Sequence, residues 1–510
     1  MVSEAFMTEK LELSEIQGLI VTGYGERPAA RYALFEVTDA ALARKFVASL
    51  EAKIQFSEYR AAPRNEPPFL QPVCINLAFT HEGLVALGLG RETLLGFSHA
   101  FQEGANDENR ARRMGDDGAS APENWVWGKP GQKLHGLLLV FAGKDDPSPD
   151  DYQTIQKTID DLCAPSNGVR IVQVLDTMPA NRVLRKEHFG FRDGITNPRF
   201  AAFPHDDDPG IADGEFLLGY ENAYGRVNLS PEVPEGRDRG RLLPPATLRS
   251  DHRDFGRNGS YLVFRQLEQK VPQFWQFVHQ AKDGVPDAPK GPAGDEWLAA
   301  KFVGRWRNGT PLTLYPDGPG PDKAGDRDDF LFAPNDDAYG ARCPIGAHIR
   351  RTHPRDTGLP VPHDPELSRP PTGDPVTLRL DLANRHRIMR RGRSYGEPLD
   401  PNYDPEVLRQ FPPTDQDERG IHFLCFNANL SRQFEFVQSN WAGNPAFGGL
   451  SADPDPLLSV GRKYPYPADD FTVQGCPTRR VRGLPRVVET RGGAYFFMPS
   501  RSALRYLGSL

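Results

Sequence analysis

The order of strand-like and helix-like segments constrains the fold of this chain more than any other feature. Residues 16–24 and 31–37 read as strands, and Thr38 or Asp39 can cap the helix that follows. In that helix Ala40, Leu42, Phe46, Val47 and Leu50 are spaced for one face. A third strand is expected over 73–79. Thr80 then leads into a short helix over 82–89, a fourth strand spans 135–141, and an amphipathic helix spans 151–163. Strand, helix, strand, strand, helix is the ferredoxin-like order. A similar cycle recurs later. Residues 259–267 read as a strand, and Val271, Phe274, Trp275 and Val278 have helical spacing. A strand over 421–426 precedes a helix over 433–441 capped by Ser431. A last strand over 493–497 precedes a short helix capped by Ser500. The expected class is α+β, with two ferredoxin-like modules, each an antiparallel sheet packed with helices. The match between the halves is of pattern alone, because no repeat of identical residues supports it.

Pro231, Pro234, Pro244 and Pro245 interrupt the periodicity and place the boundary near 225–255. The expected division is an N-terminal module over 1–240 and a C-terminal module over 255–510. Stretches rich in Pro, Gly and Asp at 281–294, 308–329 and 353–376 read as insertions on a compact core.

Composition narrows the function classes. A net charge of -7 over 510 residues gives no reason to expect a nucleic-acid partner. No apolar run approaches the length of a membrane-spanning helix. The start, Val2-Ser3-Glu4-Ala5-Phe6, has no basic segment or apolar core, so no signal peptide is expected and the expected location is the cytoplasm. Five scattered cysteines resemble neither a disulfide scaffold nor a zinc site.

Three segments carry chemistry. In Gly190-Phe191-Arg192-Asp193-Gly194 a carboxylate sits in a glycine-flanked turn, which permits a tight backbone path and leaves one face open. Such a carboxylate can move a proton to and from a bound substrate, or it can simply close its own turn. In Ala347-His348-Ile349-Arg350-Arg351 an imidazole stands beside two cations. His348 is a candidate axial ligand to haem iron, with Arg350 and Arg351 placed for anionic propionates. His188 and His386 compete for the ligand role on residue type alone. In the run from Arg387 to Arg393, Arg390 follows the apolar pair Ile388-Met389, but composition cannot choose it over Arg385, Arg387, Arg391 or Arg393. A guanidinium there could stabilise charge on a departing oxygen. Phe423, Leu424, Cys425 and Phe426 form an apolar strand that could supply a dry wall, with Phe426 against a cofactor. Trp125, Trp127, Trp275, Trp306, Tyr261 and Tyr395 are candidates to carry an oxidising equivalent toward the surface.

Taken in order, these segments resemble the dye-decolorizing peroxidase family. Gly190 to Gly194 matches its Gly-x-x-Asp-Gly motif, residues 347–351 look like its proximal-histidine motif, and residues 387–396 look like its distal-arginine segment. Further similarity runs almost end to end, and the insertions make this a long-chain member. The resemblance implies two modules of dimeric α+β barrel type, with haem b in the C-terminal one. It implies Asp193 as distal acid–base residue, Arg390 as distal cation and His348 as axial ligand, with Gly194, Arg350 and Phe426 also at the cofactor. Glu435 is a candidate partner for His348. The implied reaction is reduction of hydrogen peroxide through a ferryl intermediate, with one-electron oxidation of dyes, phenols or other aromatic donors. A homo-oligomer is compatible with this. The rival readings are a haem-handling protein with incidental turnover, and an assembly module without a cofactor.

Overall fold

The computed structural model describes residues 10–58, 70–144, 147–179, 185–205, 208–357, 375–413, 418–459 and 468–510. The start of the chain and most of the 353–376 insertion lie outside these residues.

Nine strands build one sheet: β1 (Ala29–Val37), β2 (Cys74–Phe79), β3 (Gly136–Ala142), β4 (Val169–Asp176), β5 (Ser260–Gln269), β6 (Met389–Arg390), β7 (Arg393–Tyr395), β8 (Gly420–Asn427) and β9 (Val488–Met498). Their order is β4-β1-β3-β2-β9-β5-β8-β6, with β7 also on β8. The first four strands have the ferredoxin arrangement. The last five repeat it, with β6 and β7 sharing the place of one strand. The halves meet where Phe497 of β9 pairs with Phe79 of β2. The pairings along the sheet are antiparallel, and the sheet does not close into a barrel.

Both faces of the sheet are buried. In β1, Ala33, Phe35 and Val37 enter one core while Ala30, Tyr32 and Leu34 enter the other. Strands buried on both sides read as continuous apolar runs, so the sequence shows them without alternation. The first core includes α1 (Ala40–Glu51), started by Asp39, whose side chain accepts from Leu42 N. It also includes α2 (Pro149–Leu162), started by a capping box between Ser148 and Asp151. A third core gathers around α3 (Val271–Ala281) and α4 (Pro292–Val303). Two further helices are α5 (His348–Thr352) and α6 (Arg501–Ser509), the latter capped by Ser500 and packed on α1.

Two local expectations are corrected and one strand is added. Residues 16–24 are not a strand: Gly18–Val21 form a buried helical turn. The Gln17 amide donates to Leu77 O and Pro499 O and accepts from Leu77 N, which ties this turn to the end of the sheet. Ser431 does not cap a helix. Its hydroxyl donates to Glu435 Oε2, and the segment after Phe436 is a π-helical turn over Val437–Ala442. Strand β4 was not expected from the sequence.

Candidate active site

A cavity of about 340 Å³ opens beside β5 and β8. That size falls in the usual range for ligand pockets, about 300–1,000 Å³. Asp193, Gly194, His348 and Arg390 all line it. Apolar side chains from separate elements, including Val303, Ile388, Phe423, Leu457 and Leu458, form much of the wall.

Asp193 is held by a short hairpin. Its N–H donates to Arg185 O at 2.8 Å, and Glu187 N–H donates to Phe191 O at 3.0 Å. Gly190 and Gly194 have φ of +90° and +77°, conformations that side-chain-bearing residues rarely adopt. The hairpin is pinned to the third core by Phe189 on Phe274, with ring centroids 4.5 Å apart, and by Phe191 stacked parallel to Trp275. Asp193 Oδ1 accepts from Gly194 N at 2.6 Å and from Arg390 Nη1 at 3.1 Å. Nearly half of its side-chain surface is open, at 47%, and it opens into the cavity. Burial works to raise this carboxyl, but Arg390, the Gly194 N–H and the more distant His348 outweigh it and hold it below the ordinary carboxylate range.

Arg390 owes its aim to strand parity. In the β6–β8 pairing Met389 lies opposite Phe426, and Arg390 lies opposite Cys425. Successive residues of a strand face opposite sides. Met389 therefore enters the second core, and Arg390 turns to the cavity. Asn197 locks the register, because it accepts from Arg390 N at 3.0 Å and donates to Arg390 O at 3.3 Å. Arg391 points its guanidinium to the carbonyls of Leu19, Ile20 and Val21, which the short helical turn leaves over. The structure thus brings Arg390, not Arg391, to Asp193.

His348 opens α5. Its Nδ1 lies 2.9 Å from Asp455 Oδ2, and among the described residues its Nε2 has no hydrogen-bond partner. Asp455 is fully buried, and its Oδ1 accepts from Leu457 N and Leu458 N, both at 3.0 Å. Burial would raise Asp455, but His348, Arg351 and the Leu458 N–H hold it below its ordinary value. An ionised Asp455 keeps the His348 proton on Nδ1 and leaves the Nε2 lone pair for a metal.

Three sequence expectations do not fit. Glu435 is not the partner of His348: it is bound by both Arg110 and Tyr495, with Arg110 Nη1 at 2.7 Å and Tyr495 Oη at 3.0 Å. Arg350 faces away from the cavity. It donates to Cys343 O and Ala338 O, both at 2.8 Å, and lies over the Phe332 ring at 4.0 Å. Phe426 shares the parity of Leu424 and sits in the second core, whereas Ile421 and Phe423 line the cavity. His188 and His386 are engaged elsewhere, His188 with Tyr395 O and His386 with Arg432 O and the Phe436 ring. Of the aromatic residues named as electron carriers, Trp125, Trp127, Trp275, Trp306, Tyr261 and Tyr395 are all buried.

Sequence reasoning missed Asp455, Glu187 and a cluster of cations on the cavity wall. Arg305 and Arg355 both pair with Asp328, and Arg387 donates to His353 Nε2 at 2.7 Å. Burial, with Arg387, Arg355 and Arg305 nearby, keeps His353 neutral. Among the described residues the one carboxylate that pairs with these three guanidiniums is Asp328, and they carry positive charge in excess of it. A flat iron porphyrin fits this set of residues: an imidazole lone pair for the metal, an apolar wall, and spare cations for two carboxylates.

Known proteins resemble this chain over most of its length. Residues 15–171 match the family described as DyP dimeric alpha+beta barrel domain. The chain is 28% identical over 516 residues to dye-decolorizing peroxidase msp1 of Mycetinis scorodonius, covering 97% of this chain and 87% of that one. It is 34% identical over 328 residues to the multifunctional dye peroxidase DyP2 of an Amycolatopsis species, covering 63% and 61%. The solved structure of an ancestral D-type dye decolorizing peroxidase superposes with a TM-score of 0.72 at 26% identity, over 98% of this chain and 99% of that one. The chain is thus similar to dye-decolorizing peroxidases over nearly its whole length.

Proposed function

We propose that the cavity holds haem b, that His348 Nε2 would ligate its iron, and that the protein is a peroxidase that reduces hydrogen peroxide and oxidises dyes or phenolic donors. When bound, the haem supplies the two-electron reduction of peroxide and is restored by single electrons from the donor. The observation that carries this reading is the convergence on one cavity of two pairs, His348 with Asp455 and Asp193 with Arg390. Asp455 orients the imidazole and fixes its tautomer. Arg305, Arg355 and Arg387 would meet the propionates.

Asp193 is ionised at neutral pH and can accept a proton from the peroxide, then return it to the departing oxygen. Arg390 keeps Asp193 in place and presents fixed positive charge where negative charge develops on that oxygen. Phe423 and Leu458 add apolar wall to the cavity. The names of the relatives support dyes as the donor class.

Stopped-flow absorbance of the haem-loaded protein with hydrogen peroxide tests this reading. Asp193→Asn should retain haem and slow the first spectral change by about 10²–10⁴-fold, the usual range for positioned acid–base groups. His348→Ala should alter the resting spectrum. A wild-type protein that takes up no haem, or an Asp193→Asn variant that reacts at the wild-type rate, refutes it.

A further inference from the structure

Among the groups lining the cavity, Glu187 has no part in the chemistry described above, yet its contacts are concentrated on the Asp193 hairpin. One carboxyl oxygen accepts from Phe191 N at 2.8 Å. The other accepts from Phe189 N at 2.9 Å and from the Gln269 side-chain amide on β5. Its backbone closes the same turn, because Gly190 N donates to Glu187 O at 2.8 Å. A single side chain therefore ties the tip of the hairpin to the sheet, and Asp193 leaves that hairpin two residues after Phe191. We propose that Glu187 is a positioning residue for Asp193, and that it holds the Asp193 carboxylate in its working place only while its own carboxyl is ionised.

The chemistry of the contacts requires the ionised form. Three N–H groups point at two oxygens, and a carboxylate offers lone pairs to all of them. A protonated carboxyl gives up acceptor capacity and gains a donor, so one of the three contacts must weaken. Gln269 offers a way to accept the change. Its Oε1 is buried and, among the described residues, has no hydrogen-bond partner, so a turned amide could take the new O–H. Both protonation states can thus exist in the folded protein, with the hairpin held tightly in only one.

The charged and titratable groups facing Glu187 are Lys186 and Asp193 from its own hairpin, Arg307 from the segment after α4, and Tyr403 from the loop after β7. Glu187 keeps part of its surface open to the cavity but lies deep in the protein. Burial is the main cause that pushes its carboxyl up to about 7, against its hydrogen bonds, and the nearby Asp193 adds to the rise. Neutralising Glu187 also removes a repelling charge from Asp193 and makes it a weaker base. Loosening of the hairpin and loss of basicity act in the same direction. The step that depends on Asp193 should slow as pH falls through about 7.

This inference rests on the peroxidase reading, so its test includes Asp193→Asn. Stopped-flow rates with peroxide are measured for haem-loaded wild type, Glu187→Gln, Glu187→Asp and Asp193→Asn from pH 5 to 9. Wild type should lose rate as pH falls through about 7, by less than the roughly 10²–10⁴-fold that removal of the acid–base group itself costs. Glu187→Gln should be slow throughout and lose the step near neutrality. Glu187→Asp keeps the charge on a shorter arm, so it should be slower than wild type but keep the step. Amide exchange in the peptide spanning 185–197 gives a readout independent of activity, and Phe189 and Phe191 should lose protection in Glu187→Gln. Thermal unfolding gives another. A carboxyl raised in the folded state binds protons that the unfolded chain has released between its ordinary value and about 7. The stability of wild type relative to Glu187→Gln should therefore fall across that window and stay level above it. If Asp193→Asn slows the reaction but Glu187→Gln keeps the wild-type pH profile, the role given to Glu187 is wrong and the peroxidase reading stands. If Asp193→Asn does not slow the reaction, both fall.

Discussion

Replacing Asp455 by Asn should weaken haem binding without disturbing the fold, and the size of the loss follows from the contacts. Asp455 takes three hydrogen bonds, one from His348 Nδ1 at 2.9 Å and two from the N–H groups of Leu457 and Leu458 at 3.0 Å. The Asn oxygen can keep the two backbone bonds. Its NH₂ then faces His348 Nδ1, and two donors oppose each other unless the imidazole proton moves to Nε2. That tautomer places an N–H where the metal needs a lone pair. The lost charge-assisted bond is worth about 1.5–3 kcal/mol. At about 1.4 kcal/mol per tenfold, this is roughly a ten- to hundredfold rise in the haem Kd. Changes in the partners of metal-bound histidines cost about 10–100-fold, the same range by an independent route. The assay is titration of the apoprotein with haem, followed at the Soret band, with His348→Ala setting the limit for loss of the axial ligand. Far-UV circular dichroism checks that the fold is intact. Wild-type affinity and an unchanged Soret position in Asp455→Asn would refute the tautomer argument.

Other expectations separate residues that adjoin in sequence but differ in aim. Arg390→Leu should slow the peroxide step by about 10²–10³-fold, the usual loss for one charge-stabilising donor. Arg391→Leu should leave that rate within a few-fold and lower stability by about 1.5–3 kcal/mol, from its bonds to Leu19, Ile20 and Val21, as read in urea unfolding. The reverse pattern would place the register of β6 one residue off. Phe426→Ala should cost about 3–5 kcal/mol of stability, as buried aromatics do, and leave the resting haem spectrum unchanged. A shifted spectrum would put Phe426 back at the cofactor. Finally, Asp455 is held below its ordinary range, so its contribution is present above the unfolded value and is lost as pH falls toward the folded one. Urea midpoints between pH 3 and pH 7 should drop more steeply below about pH 4 in wild type than in Asp455→Asn. Equal slopes would contradict the shift.

The strands that could be read from the sequence are those buried on both faces, such as β1, β3 and β9, where apolar runs leave little choice of structure. Strand β4 escaped because it lies at the sheet edge, with Arg170 and Gln173 among its residues and only Val169 and Leu175 well buried. An edge strand shows a mixed pattern because one side of it meets water. The Gly18–Val21 turn was misread for the opposite reason. A short, wholly buried apolar segment has no periodicity to distinguish helix from strand, and the contacts that decide it come from Leu77 and Pro499, far along the chain. Strands β6 and β7 were hidden inside an Arg-rich run, where charge dominates the pattern and two or three residues are too few to show alternation.

The same distinction between local and distant partners explains which parts of the site were visible. Asp193 carries its signal with it, because the glycines that let the turn form are its neighbours, and Gly194 N–H is one of its partners. The partner of His348 carries no such signal. Asp455 lies 107 residues away, and the carboxylate offered instead, Glu435, was already neutralised by Arg110 from the other half of the chain. A buried carboxylate whose bonds are filled has little to gain from a further donor, whereas Asp455 had one oxygen filled by backbone N–H groups and one left for an imidazole. Phe426 and Arg350 failed for a related reason. Residue type placed them near the cofactor, but strand parity turned Phe426 into the second core, and Arg350 took the carbonyls of Cys343 and Ala338. In this fold a residue reaches the cavity by the face its element presents, and one step past the end of β6 separates a cation beside Asp193 from one that closes the end of a helical turn.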